Sequence, residues 1–332
     1  MKIVFFEIKG WEKKHLDKAL KGHKLMYHEE PLTIENVAKA KDADVVSVFI
    51  YSQLTKEVVK KLSKLKLVTT RSTGFDYIDL KACKAKKVPV CNVPFYGENT
   101  VAEHTFALML SLSRNIHKSY VRTLKNDFSI EGLQGFDLKG KTLGVVGGGS
   151  IGLHVIRMAK SFGMEVIVND ISQNSFLAEV LGFKYVSFEE LLKTSDIISL
   201  NAPDNKNTHH MINKQTIKLI KKGAILINTA RGGLVDIDAL IEALDKKIIA
   251  GAGLDVVEGE KSLKEEKQLL YDKKKSEAVS LLIKNHILFD NDNVIFTPHI
   301  AFYSKEALIR ILETTAENID ICLKGDCQNV VN

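Results

Sequence analysis

The stretch that most constrains this chain runs from Lys141 to Asp170, KTLGVVGGGSIGLHVIRMAKSFGMEVIVND. A short apolar run at Leu143–Val146 predicts a buried strand. Ile151, Val155, Ile156, Ala159 and Phe162 then recur at helical spacing, and Val166–Val168 predicts a second strand. Between strand and helix, Gly147, Gly149 and Gly152 form G-x-G-x-x-G. In that setting the three glycines provide a tight turn, backbone access to a pyrophosphate, and close packing of helix on strand. The phosphates would rest on the free N–H groups at the helix N-terminus. Asp170 follows Gly152 by eighteen positions, at the end of the second strand, where a carboxylate can accept hydrogen bonds from both ribose hydroxyls of NAD. Ile171, Ser172 and Gln173 come next and offer no cation to a 2′-phosphate, so NAD is expected rather than NADP.

The same alternation extends in both directions. Apolar runs precede the glycine motif at Ile3–Phe6, Val45–Ile50, Leu67–Thr70 and Val88–Cys91, and follow it at Asp196–Leu200, Ala224–Asn228, Ile248–Asp255 and Asn293–Thr297. Strands alternating with helical segments imply parallel sheets, and 332 residues are comfortable for two α/β domains. A long, largely buried helix is expected from Asn99 to about Arg122, linking the domains, with His104 in it as a satisfied core histidine. The Lys/Glu-rich excursion between Glu258 and Asn291 reads as a surface insertion with a helix near Ser276–Lys284. A helical tail, Ser304–Leu323, would return to the first domain and make that domain discontinuous.

In an open doubly wound sheet, ligands bind outside the carboxyl ends of the strands. The residues just past each strand are Asn201-Ala202-Pro203, Thr229-Ala230-Arg231, Asp255 and Pro298-His299, so these should meet the glycine motif in one crevice. Arg231, with Gly232 and Gly233 leaving room beside it, can hold a carboxylate bidentately and stays charged at any working pH. Glu260 and His299 can form a carboxylate–imidazole pair, in which the anion favours the protonated ring and so makes a proton available near neutrality. Beside a nicotinamide, Arg231 would hold a 2-oxo acid and polarise its ketone, while His299 would supply the proton. No metal is expected in this chemistry, because arginine and imidazolium carry the positive charge. Earlier in the chain, Arg71-Ser-Thr-Gly-Phe-Asp76 holds Gly74, which could turn successive N–H groups toward one anion.

Composition closes off other classes. The net charge of +6 is a lysine excess spread along the chain, without a basic helix interleaved with aromatics or a zinc-finger spacing, so nucleic acid is not an expected partner. No apolar run reaches the length of a membrane span, and the start MKIVFFEIKG reads as a first strand rather than a leader. Cys83, Cys91, Cys322 and Cys327 are scattered without C-x-x-C, which argues against a disulfide scaffold or a zinc site and for a reduced, cytoplasmic protein.

Taken together, RSTGFDYIDL, VPFYGENTVAEH, VVGGGSIG, ISLNAPDN, INTARGGLVD, GLDVVEGE and TPHIAFYSKEAL resemble the D-isomer-specific 2-hydroxyacid dehydrogenases over nearly the whole chain. The resemblance implies a Rossmann-like NAD domain at 101–298, inserted into a discontinuous, flavodoxin-like substrate-binding domain at 1–100 and 299–332. It implies Arg231, Glu260 and His299 as catalytic residues. For NAD it implies Gly147, Gly149, Ser150, Ile151, Gly152, Asp170, Ala202, Pro203, Thr208, Thr229, Ala230 and Asp255, with Asp255 on the nicotinamide amide. For a small 2-oxo or 2-hydroxy acid it implies backbone N–H groups of Thr73 and Gly74, Tyr96 nearby, Arg231, and Phe302 over the side chain. A homodimer or dimer of dimers is the implied assembly. Asn201 stands where many lactate-reducing relatives carry histidine, and position 150 varies among relatives. The EGLQGFDLKGK connection and the insertion at 261–291 favour the D-lactate branch. Open alternatives are a preference for bulkier 2-oxo acids such as 2-oxoisocaproate or phenylpyruvate, and an NAD-sensing scaffold of the corepressor type, which shares the fold.

Overall fold

The computed structural model describes residues 1–260 and 276–332; residues 261–275, within the expected insertion, lie outside the described residues. The chain divides into two compact units, Met1–Gly97 with Tyr303–Asn332, and Glu98–Phe302. This division puts His299 and Phe302 in the second unit, whereas the family resemblance implies a boundary between 298 and 299.

In the first unit, β1 (Lys2–Phe5), β2 (Lys24–Tyr27), β3 (Val45–Val48), β4 (Leu67–Thr70) and β5 (Val90–Cys91) form one sheet in the order β2-β1-β3-β4-β5. Every pair is parallel. All residues of β3 and β4 are buried, as expected for central strands covered on both faces. β2 has no counterpart among the expected strands: it is an edge strand, KLMY, with no fully buried residue, so no apolar run marks it. The helix Lys305–Leu323 buries Leu312, Ala316 and Ile319 against Ile3, Phe5, Leu16 and Leu67. One expectation is overturned here. Cys322 and Cys327 form a disulfide, because the chain reverses at Gly325 (φ +103°) and brings Cys327 back to the last helical turn.

In the second unit, β6 (Thr142–Val146), β7 (Glu165–Asn169), β8 (Lys184–Tyr185), β9 (Ile197–Leu200), β10 (Ala224–Asn228), β11 (Ile249–Leu254) and β12 (Val294–Phe296) form a sheet in the order β12-β11-β10-β9-β6-β7-β8. All neighbours are parallel, so every carboxyl end lies along one edge. From β6 the chain moves outward to β7 and β8, then returns to β9 on the other side of β6. That reversal is the topological switch point, where a crevice opens.

The single helix expected from 99 to 122 is two helices, Glu98–Ser113 and Ile116–Leu124. The break is at Asn115 (φ 52°), whose Nδ2 donates to the carbonyls of Leu133 and Gln134 at 3.3 and 3.2 Å. Gly135 presses on the same place: a Cβ there would lie 2.1 Å from the Ser113 carbonyl oxygen. Apolar residues run through both pieces, which is why the pattern reads as continuous. The first helix packs on β11 through bare backbone, since a Cβ at Gly253 would stand 3.0 Å from Leu108 Cβ. Helix Ser276–Phe289 extends the one expected near 276–284.

Candidate active site

Past β6 the chain turns through Gly147 (φ +93°) into the helix Ser150–Ser161. A side chain at 147 would run into the Asn201 carbonyl oxygen at 2.7 Å, and one at 152 into the Gly147 carbonyl oxygen at 2.0 Å. A Cβ at Gly149 would meet nothing within 4 Å. Two glycines are therefore fixed by packing, while the third leaves backbone open to a ligand. Gly149 caps the helix without a side-chain hydrogen bond, so the first-turn N–H groups are not satisfied by a capping side chain. Ser150 is exposed and Ile151 half-buried beside it.

Asp170 ties this loop to the end of β7. Its Oδ2 accepts from Gly148 N at 2.6 Å and its Oδ1 from Ser172 N at 2.7 Å. Across the switch point, Asn201 Nδ2 donates to Ser199, while its Oδ1 is buried without a partner. A buried, unpaired acceptor costs free energy. Next to a glycine loop this one suits a ligand that brings a donor. Ala202 is buried and Pro203 exposed; Thr208 closes their turn by donating from Oγ1 to the Pro203 carbonyl at 2.5 Å. Thr229 is likewise engaged internally, hydrogen-bonded to Thr105 Oγ1 at 2.9 Å, and Ala230 N donates to Asn228 Oδ1 at 3.1 Å.

Asp255 stands just past β11. It is fully buried. Its Oδ1 accepts from Thr297 Oγ1 at 2.5 Å and Ile300 N at 2.9 Å, and its Oδ2 from Ala301 N at 2.9 Å. The three donors lie on the segment around His299, whose own N–H donates to the Asp255 carbonyl at 2.9 Å. Asp255 thus holds the turn that carries His299. His104 joins the network, with Nε2 2.9 Å from Thr297 Oγ1 and 3.5 Å from Asp255 Oδ1. Thr297 and His104 carry no sequence pattern of their own that points to this support.

His299 sits at φ +57°, a region that non-glycine residues rarely occupy and that recurs at functional positions. Its Nδ1 is 2.9 Å from Glu260 Oε1. Nδ1–H donating to the carboxylate fixes the ring orientation and leaves Nε2 for a substrate. The Phe302 ring stands edge-on to the imidazole, with centroids 6.4 Å apart. Arg231 is exposed at the end of β10, and its Nη1 donates to the Ala230 carbonyl at 2.7 Å. Among the described residues no carboxylate pairs with it. Gly232 lies directly on the backbone leading to Glu260, since a Cβ there would stand 2.1 Å from the Val257 carbonyl carbon. The arginine turn and the Glu260 segment are therefore adjacent within this unit.

The loop past β4 in the first unit holds the other expected residues. Thr73 is exposed, and its Oγ1 donates to the Val93 carbonyl at 2.9 Å. Gly74 is not in the left-handed region, so glycine there serves no positive φ. Beneath them Arg71 is fully buried and donates to the carbonyls of Phe6 and Glu7 at 2.6 and 2.9 Å. Burial pushes the Arg71 guanidinium down, opposed by the charges of Glu12 and Glu7. Burial likewise pushes the Tyr77 hydroxyl, bonded to Ser72 at 2.6 Å, up to about 12. The Tyr96 carbonyl accepts from Arg310 Nε at 2.6 Å.

With this geometry in hand, residues 106–301 match the D-isomer specific 2-hydroxyacid dehydrogenase family, NAD binding domain. The chain is 34% identical over 334 residues to a D-lactate dehydrogenase of Escherichia coli, covering 99% of each. It is 38% identical over 297 residues to an aromatic 2-oxoacid reductase of Clostridium sporogenes, covering 87% of this chain and 86% of that protein. Among solved structures, it is 40% identical to a D-lactate dehydrogenase from Aquifex aeolicus complexed with NAD and lactic acid, with a TM-score of 0.86 over 98% of this chain and 96% of that one. The open glycine loop and the orphan acceptor fit a dinucleotide, and no helix among the described residues is long and apolar enough to cross a membrane. This chain belongs to the D-isomer-specific 2-hydroxyacid dehydrogenases and is an NAD-dependent oxidoreductase acting on a CH–OH group.

Proposed function

We propose that the protein interconverts pyruvate and D-lactate. The observation that carries this reading is the His299–Glu260 pair at 2.9 Å, together with a guanidinium that no described carboxylate neutralises. NAD, when bound, supplies the hydride acceptor or donor for C2. Arg231 holds the substrate carboxylate and polarises the ketone oxygen. His299 gives a proton from Nε2 to the developing alkoxide, or takes the hydroxyl proton in reverse, and Glu260 stabilises the imidazolium form.

Gly147, Gly149, Ser150, Ile151, Gly152, Asp170, Ala202, Pro203, Thr208, Thr229, Ala230 and Asp255 are the proposed NAD contacts. Thr73, Gly74, Tyr96 and Phe302 are the proposed substrate contacts. The relatives named D-lactate dehydrogenase support pyruvate. A second reading, bulkier 2-oxo acids, draws on the aromatic 2-oxoacid reductase at 38% identity. Homodimerisation is part of the proposal, supported by exposed Tyr120, Leu124, Phe128 and Ile130 on and after the helix Ile116–Leu124. Cytoplasmic residence is as well, and cell fractionation checks it against the Cys322–Cys327 disulfide, which a reducing compartment would keep open.

The test is NADH oxidation with pyruvate, 2-oxoisocaproate and phenylpyruvate, followed by chiral analysis of the product. Selective pyruvate turnover to D-lactate is expected; preference for phenylpyruvate would replace the substrate and keep the chemistry. Arg231→Lys should lower kcat/KM about ten- to a hundredfold, the worth of a charge-assisted bidentate contact. Undiminished turnover by Arg231→Ala would refute the mechanism.

A further inference from the structure

We propose that His209, His210 and Glu258 form a binding site for a divalent transition-metal ion of the Zn2+ class, separate from the His299–Glu260 pair. One donor atom from each of the three lies within 4.8 Å of the others. His210 Nε2 and Glu258 Oε1 are already 3.0 Å apart. Tetrahedral ligation with bonds of about 2.0–2.1 Å sets donors about 3.3 Å from one another, so the His209 donor has to close by no more than about 1.5 Å. Rotation of an exposed side chain covers that distance.

The surroundings are built rather than incidental. His210 holds φ 49°, and in that conformation the consecutive imidazoles lie together, with centroids 4.1 Å apart. An ion sits in the plane of each imidazole that binds it, so ligation by both requires the exposed His209 ring to turn out of the stack. His209 Nδ1 lies 3.2 Å from Asp204 Oδ1, the carboxylate–imidazole contact that orients ligating histidines. The backbone beneath is pinned at three points. His210 N donates to the Gly233 carbonyl at 2.7 Å, Asn213 Nδ2 to the His210 carbonyl at 2.9 Å, and Asn285 Nδ2 to the Glu258 carbonyl at 3.0 Å. Gly233 lies against both side chains, since a Cβ there would stand 2.1 Å from Asp204 Oδ2 and 3.0 Å from His209 Nδ1 and would displace them. A plain His210–Glu258 hydrogen bond accounts for one distance but not for the second ring brought to it.

Two imidazoles and one carboxylate are a borderline donor set. It favours Zn2+, Co2+ or Ni2+ over Mg2+ and Ca2+, which require mostly oxygen ligands. Water completes the fourth position. Occupancy would tie the loop after β9 to the segment after β11 that carries Glu260.

The experiment uses tag-free protein stripped with EDTA and titrated with Zn2+ by calorimetry, with the visible spectrum of added Co2+ as a second readout. One equivalent of Zn2+ should bind and raise the melting temperature, and Mg2+ should do neither. His209→Ala and Glu258→Gln should each weaken Zn2+ at least about tenfold, the lower end of the cost of losing even an outer-shell partner. Neither changes a core residue, so melting of the metal-free variants should match the parent. Zn2+ binding equally well to the double variant H209A/E258Q, or no tighter in the parent than Mg2+, would overturn the proposal.

Discussion

Asp255→Asn tests whether the turn bearing His299 depends on a buried carboxylate. The substitution keeps size and removes the charge and one acceptor. In the parent, Oδ1 accepts from Thr297 Oγ1 and Ile300 N, and Oδ2 from Ala301 N at 2.9 Å. Asparagine does best by keeping its oxygen on the first pair and turning its NH2 toward the Ala301 N–H. One buried donor then loses its partner, at about 1–3 kcal/mol, and two bonds fall from charge-assisted to neutral, at about 1 kcal/mol each. The sum is about 3–5 kcal/mol. At about 2–4 °C per kcal/mol for a unit of this size, the melting midpoint should drop by about 6–20 °C. Turnover should fall as well, because His299 stands on the same turn at φ +57° and a shift of about 1 Å in a reacting group can cost about a hundredfold. The assays are thermal melting by circular dichroism and NADH oxidation with pyruvate below both transitions. A variant that melts within about 1 °C of the parent and keeps its kcat would refute the support assigned to Asp255.

Gly152→Ala, with its Cβ 2.0 Å from the Gly147 carbonyl oxygen, should destabilise the ligand-free protein by about 1–3 kcal/mol. Gly149→Ala, facing open space, should leave that stability unchanged, and equal denaturant midpoints for the two would contradict the packing argument. Burial pushes the thiols of Cys83 and Cys91 up to about 11. The folded state therefore holds these protons better than the unfolded chain, and stability declines as pH rises above the unfolded value of about 8.5. A thiol reagent at about pH 8 should find no fast-reacting group in the native protein and two in denaturant; four without prior reduction would rule out the Cys322–Cys327 bond. For Asp196, burial pulls the carboxyl up, but Lys221 at 2.8 Å and the Thr142 N–H at 2.9 Å outweigh it and leave it lowered. Its stabilisation is present above the unfolded pKa and lost as pH falls through the folded one, so Asp196→Asn should flatten the acid limb of the stability curve. An acid limb identical to the parent's would remove Asp196 from that account.

Residue order alone was enough for the strand-and-helix alternation, the parallel sheets and the succession of residues along the carboxyl edge. Strands such as β4 and β10 open on apolar runs and are buried at every residue, as a doubly covered sheet requires, and their ends were legible to the residue. The short edge strands β2 and β8 were not legible, because half-exposed residues leave no apolar signature. The break at Asn115 was hidden for a different reason: what stops the helix is Gly135 crossing Ser113, a contact between residues that no local pattern connects. Pairing of Glu260 with His299 was readable as a possibility from residue types. Three features depend instead on how the folded loops come together: Asp255 gathering Thr297, Ile300 and Ala301 beneath His299, Cys322 meeting Cys327, and His210 meeting Glu258 with His209 stacked beside it. Periodicity records which side of an element faces the core, whereas the partner of a polar side chain depends on where separate loops meet in space.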